Sequence, residues 1–234
     1  MDNQNIICRQ LVTDTKRELK GYFKTLQKKY DIWNTSVQFA TDVQDLALRI
    51  ENIKKLNEKL LTKETIIETI DYLAKIHSFM RTQPIPYLDK DNKFKVKTVV
   101  LVPVRSVEKT LINCSTDLQF ALEYLLFTLT HEFGHVIVDT KTYAKCVSLI
   151  QYIRLRNIEL ELHEKELESF DHDAEDWCFH YHNDLSSERL ANQAVGITAE
   201  QAYQMNKRYV ELGGIILPNQ LSWKYKEGDD NHGN

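Results

Sequence analysis

"FTLTHEFGHVIVDT" occupies residues 127–140 and holds His131, Glu132 and His135 in the order H-E-x-x-H. Residues four apart on a helix lie one turn above the other on the same face. A helix here would therefore present the two imidazoles to a single ion. Glu132 is rotated by about 100° from His131, so its carboxylate can reach a water held by that ion. Neutral imidazole suits zinc, which in catalytic sites keeps one position open for water. In such chemistry the metal polarises a carbonyl and acidifies the water, and Glu132 takes the proton and delivers it to the leaving amine.

The pattern is short, and a surface helix can carry it idly. Its context favours a site. An apolar helical run, Leu118, Leu122, Leu125, Leu126 and Leu129, leads into it from a start at Thr116 or Asp117. Gly134 is a poor helix former, and it sits where another segment or a substrate could approach closely.

Catalytic zinc needs a third protein ligand. The extension H-E-x-x-H-x-x-G-x-x-H is absent, because Val138 and Lys141 hold its last glycine and histidine positions. The downstream candidates are His163, His172, His180, His182 and Glu188. Glu188 leads. "SSERLANQAVG" (186–196) places it on a short helix where small Ala191 and Ala194 would allow close packing against the first helix. The competing reading of Glu188 is a solvated glutamate favoured by the dipole at a helix start.

The chain has 234 residues, enough for one substantial core or a catalytic domain with a helical appendage. Its net charge of -4 implies no general attraction to nucleic acid or to anionic membranes. Four cysteines at 8, 114, 146 and 178 form no C-x-x-C pair and read as separate thiols in a reducing compartment. With no basic start followed by an apolar run, and no stretch of membrane-spanning length, the expectation is a cytoplasmic protein.

Helical spacing is evident over Ile6–Tyr30 and Val37–Leu61, and again from a cap at Thr62 to a stop near Pro84 and Pro86. "IPYLDKDNKFKVKTVVLVP" (85–103) has a polar turn, DKDN, between two β-prone runs, and "KTLINCS" (109–115) offers another strand. A sheet of three strands follows, in which residues 98–102 could form an edge that pairs with an extended substrate. One long amphipathic helix is predicted from Tyr143 to about Phe170, with Glu159, Glu161, Glu164, Glu166 and Glu168 as its solvated face. Thr198 with Gln201 makes a capping box for a last helix ending at Gly213-Gly214. The expected class is α+β and mostly helical. A helical N-terminal region (1–84) precedes a zincin-like metallopeptidase domain with a small sheet (85–222) and a disordered tail (223–234).

Taken together, "LINCS…LLFTLTHEFGHVIV…SSERLANQAVG" resembles the ImmA/IrrE family of zinc metallopeptidases over roughly residues 95–200. In that family a strand precedes a helix ending in a HELGH-like motif, and a later E-x-x-A-N helix supplies the glutamate ligand. The resemblance implies Zn2+ held by His131, His135 and Glu188, with Glu132 as base and with Ala191 and Asn192 completing the second motif. It also implies a regulatory endopeptidase that cuts few proteins, such as a repressor. The chain departs from the family in its 52-residue connection, 136–187, and in Asp139, where members often carry histidine.

Weaker signals surround this core. Asp139 could hydrogen-bond a ligand imidazole. An oxyanion donor is expected, with Tyr143, His180, Tyr181 and His182 as candidates. The stretch "HDAEDWCFHYH" (172–182) is rich in metal-capable groups but reads better as a polar loop around Trp177. Two further readings stay open: a non-catalytic metal-binding regulator that keeps a vestigial site, and a host-directed effector peptidase.

Overall fold

The computed structural model describes residues 3–40, 80–169 and 185–214. Among these lie α1 (Asn3–Tyr30), β1 (Thr35–Ala40), β2 (Arg81–Leu88), β3 (Phe94–Pro103), α2 (Val104–Asn113), α3 (Leu118–Tyr143), α4 (Leu149–Glu168), α5 (Ser186–Val195) and α6 (Ala199–Glu211). The fold is α+β and mostly helical, with one small sheet. The helices expected over 41–61 and 62–79, the 172–182 stretch and the tail from 223 all lie outside the described residues.

The sheet has the order β1-β3-β2. β1 runs parallel to β3, with Thr35 opposite Thr98, and β2 runs antiparallel, with Arg81 opposite Leu101 and Leu88 opposite Phe94. The DKDN turn joins β2 to β3 as expected. Asp89 Oδ1 accepts from the backbone N–H groups of Asp91 and Lys93 at 2.9 Å each, and Asn92 takes the left-handed conformation at φ 57°.

Several expectations are corrected here. Residues 98–102 form the central strand, paired on both sides, so they offer no edge to a substrate. Residues 109–115 are not a strand. Val107, Thr110, Leu111 and Cys114 are buried at helical spacing, most of them within α2. The third strand is β1, where a helix from Val37 was expected; in TSVQFA the apolar Val37 and Phe39 alternate with polar Ser36 and Gln38, a period of two. Pro84 and Pro86 sit inside β2 rather than ending a helix. The Pro84 carbonyl accepts from the Tyr152 hydroxyl at 3.0 Å, so it faces away from β3. Prolines two apart then place their missing N–H on the outer side, where no ladder bond is lost.

Asp117 caps α3, its carboxylate accepting from the Phe120 N–H at 3.1 Å. Leu129, Phe133 and Val136 are fully buried along the helix. The Phe133 ring meets Phe23 of α1 edge-on at 5.4 Å. Burying such a side chain stabilises by about 2–3 kcal/mol. The same core cluster takes in Val12 and Leu19 from α1 and Val100 and Val102 from β3. α3 is thus gripped by α1 and the sheet. The expected long helix from Tyr143 is split: α3 ends at Tyr143, and α4 begins after Ser148, whose hydroxyl accepts from the Gln151 N–H at 3.3 Å. No helix among the described residues is long and apolar enough to cross a membrane.

Candidate metal centre

α3 and α5 pack closely along their facing sides, and glycine makes the approach possible. A Cβ on Gly134 would lie 2.1 Å from the Ala191 carbonyl oxygen, well inside contact distance. Gly134 and Ala191 therefore let two helix backbones meet, as the small residues suggested. Glu188 and Asn192 lie one turn apart on α5 and are buried, at 9% and 5% exposure. Thr198 closes the segment that follows with the expected capping box.

This contact brings three groups to one place. Glu188 Oε2 lies 2.8 Å from His131 Nε2 and 3.3 Å from His135 Nε2. One ligand atom from each of the three residues falls within 4.8 Å of the others, a group that could hold a metal ion. The two rings stand nearly perpendicular, 4.9 Å apart. On its other side, His131 Nδ1 lies 2.8 Å from Asn192 Oδ1. That oxygen only accepts, so Nδ1 carries the hydrogen, and Nε2 of the neutral ring carries a lone pair.

A lone pair on Nε2 then faces a carboxylate oxygen that also has only lone pairs. Two such acceptors at 2.8 Å need a proton or a cation between them. Without a metal, protons fill the role. Burial pulls the His131 pKa down, and the hydrogen bond and charge of Glu188 outweigh it, leaving the group above its ordinary value. The same contest raises His135 from 6.5 to about 9. A single dication would satisfy the arrangement directly. Two imidazoles and a carboxylate are a donor set that suits zinc.

No protein-family model, curated protein or solved structure matches the chain significantly.

Glu132 is buried beside this group at 8% exposure. Thr82 of β2 donates to Glu132 Oε2 at 2.7 Å, with the Glu132 backbone carbonyl 2.9 Å from the same hydroxyl. Thr82 was not legible from the sequence, because a threonine in a strand carries no motif. Asp139, one turn past His135, is half-buried, and burial lifts its carboxyl to about 7 against the opposing charges of His135 and Arg156. It acts on His135 through charge, and no hydrogen bond joins the two among the described residues. Tyr143, proposed as an oxyanion donor, is engaged elsewhere: its hydroxyl donates to Glu159 inside a separate cluster with Phe94, Cys146 and Tyr152. Glu159 in turn accepts from Arg156 at 3.1 Å, so it is not part of a purely solvated acidic face. Glu166 accepts from Ser186 at the start of α5. His163 lies on α4 and takes no part in the His–His–Glu group. His180, Tyr181 and His182 lie outside the described residues, as does His172.

Proposed function

We propose that this chain is a zinc-dependent endopeptidase with a zincin-like catalytic half, acting on a specific protein substrate such as a regulator or repressor. One observation carries the reading: a buried glutamate, Glu132, stands immediately beside a His–His–Glu group whose acceptors converge on one point. A metal held only for structure has no use for such a base. The ImmA/IrrE resemblance supplies the substrate class, and it rests on the H-E-x-x-H and E-x-x-A-N motifs alone.

His131, His135 and Glu188 would hold the ion. Zinc bound there would supply a Lewis acid for the peptide carbonyl and a nucleophilic water at neutral pH. Asn192 keeps His131 in the tautomer whose Nε2 lone pair points to the centre. Glu132 accepts the proton that the attacking water gives up. The same carboxyl then donates that proton to the amine nitrogen as the peptide C–N bond breaks. The outer side of β2 is the sheet edge next to Glu132, but it lacks N–H donors at Pro84 and Pro86, and Tyr152 occupies the Pro84 carbonyl. An extended substrate therefore has little of this strand to pair with beyond Thr82, which favours recognition by other surfaces and few substrates.

The test is metal analysis together with cleavage of a proteome-derived peptide library. Wild type and Glu132→Gln should both hold about one zinc per chain. Cleavage should fall by about 10²–10⁴-fold in the variant. Zinc binding without cleavage by the wild type would turn the reading to a non-catalytic metal-binding regulator. Unchanged zinc affinity in Glu188→Ala would remove Glu188 as a ligand.

A further inference from the structure

Thr82 is the one hydrogen-bond donor to the Glu132 carboxylate among the described residues. A glutamate side chain has three torsions, and two positively charged or metal-bound imidazoles nearby attract its charge. Left alone, the Glu132 carboxylate would swing toward them and become a further ligand or ion-pair partner, which would cost it the role of base. The hydroxyl of Thr82 opposes that swing. It does so from a rigid place: Thr82 lies opposite Val100, a fully buried residue of the central strand. A β-branched side chain in a strand also has few rotamers to lose.

We propose that Thr82 is a positioning residue for Glu132, holding Oε2 so that Oε1 is the atom that takes and returns the proton. This rests on the peptidase reading above. The second acceptor matters as well. Oγ1 lies 2.9 Å from the Glu132 backbone carbonyl, so its single hydrogen has somewhere to go when the carboxyl is protonated. Oγ1 thus keeps its place while the charge on Glu132 changes during a turnover. A serine can make both bonds, and a valine of the same shape can make neither.

The experiment compares wild type, Thr82→Val and Thr82→Ser in two ways. The first is steady-state kinetics on the best library peptide, with zinc affinity measured beside it. In Thr82→Val, kcat should fall about 10–100-fold, with KM within about twofold and zinc affinity held or raised, since no ligand is removed and the released Glu132 carboxylate can join the others. Thr82→Ser should recover most of kcat. A kcat for Thr82→Val within twofold of wild type would overturn the proposal, as would an equal loss in both variants. The second readout needs neither metal nor turnover. In the zinc-free, carboxyl-¹³C-labelled protein, the Glu132 resonance is assigned by its absence in Glu132→Gln. It should shift in Thr82→Val and return toward its wild-type position in Thr82→Ser, and an unmoved resonance overturns the placement. A shifted resonance with no cleavage by wild type would sink the peptidase reading while leaving the Thr82–Glu132 bond established.

Discussion

Two polar clusters are buried along α3, about two turns apart, and their charges are answered differently. Near Tyr143 buried donors meet acceptors directly. The Tyr143 hydroxyl and the Arg156 guanidinium both donate to Glu159 Oε2, and the Tyr152 hydroxyl donates to the Pro84 carbonyl. Around His131 and His135, the groups can be joined only by a proton or a cation. Two imidazole nitrogens close on one carboxylate oxygen, and Asn192 takes the hydrogen on the far side of one ring. Buried groups left facing one another in this way are costly. The first cluster is complete as a joint between α3, α4 and the sheet. The second is filled only by protons or by a bound cation, and that difference separates a self-satisfied network from a candidate metal site.

The change that should damage this division most is Gly134→Ala. On an exposed helix the substitution would stabilise by about 1 kcal/mol. Here the new Cβ would lie 2.1 Å from the Ala191 carbonyl oxygen and 2.6 Å from its carbon, so α5 must retreat. Glu188 and Asn192 ride on that helix. A displacement of about 1 Å at such a site is enough to cost about 10²-fold, and zinc affinity should fall at least that far by competition with a chelating dye. The Tyr143 cluster lies on the other contact of α3 and should survive, leaving the helical circular dichroism intact. Affinity within tenfold of wild type would mean that the two helices are not held by this contact.

The His–His–Glu group was more legible in the sequence than the Tyr143 cluster, for a physical reason. Ligands on helices obey a fixed period, so His131 and His135 announce a face, and Gly134, Ala191 and Glu188 announce a close helix pair. The Thr198 capping box and the Asp89 turn are equally local. What escaped depends on contacts distant in sequence. Thr82 reaches Glu132 across 50 residues, and nothing in "RTQPIP" marks it. The period of two in β1 spans only Ser36 to Phe39, too short to outweigh the helical spacing that follows it until β3 is there to pair. Residues 109–115 read as a strand because Leu111 and Ile112 suit either structure, and the buried spacing of Val107, Thr110 and Leu111 decides it only when the segment is taken from Val104. The split between α3 and α4 did have a local sign, Ser148-x-x-Gln151, which the apolar periodicity on both sides concealed.

A smaller effect should appear with pH, and it sharpens the same contrast. In the zinc-free protein His135 is raised from 6.5 to about 9. The stability it contributes is fully present below its unfolded value and is lost as pH rises through about 9. Asp139 is raised from 3.8 to about 7, so its neutral form suits the fold, and stability is lost as pH climbs from its unfolded value through 7. In both cases the native state holds more protons than the unfolded chain, and the zinc-free protein should weaken with rising pH. Zinc bound at this group would displace the imidazole protons, so its contribution would grow in the same direction. The gap in Tm between zinc-loaded and zinc-free protein should widen steadily from about pH 6 to about pH 9. A gap that stays constant over that range would mean that zinc does not replace protons at these two rings.

The smallest effect is expected at the closed cluster. Burial and the Glu159 carboxylate push the Tyr143 hydroxyl well above its ordinary pKa, so it remains a donor at every pH the fold survives. Tyr143→Phe removes that donor and keeps the ring that packs on Tyr152 at 5.1 Å. Glu159 does not become unpaired, because Arg156 still donates to the same oxygen. The loss should be about 1 kcal/mol, the net worth of one hydrogen bond, read from chemical denaturation. Zinc affinity should change less than twofold, because the cluster satisfies itself without the His–His–Glu group. A tenfold loss of zinc affinity would instead couple the two ends of α3, and Asp139, which feels the charges of both His135 and Arg156, would be the residue that joins them.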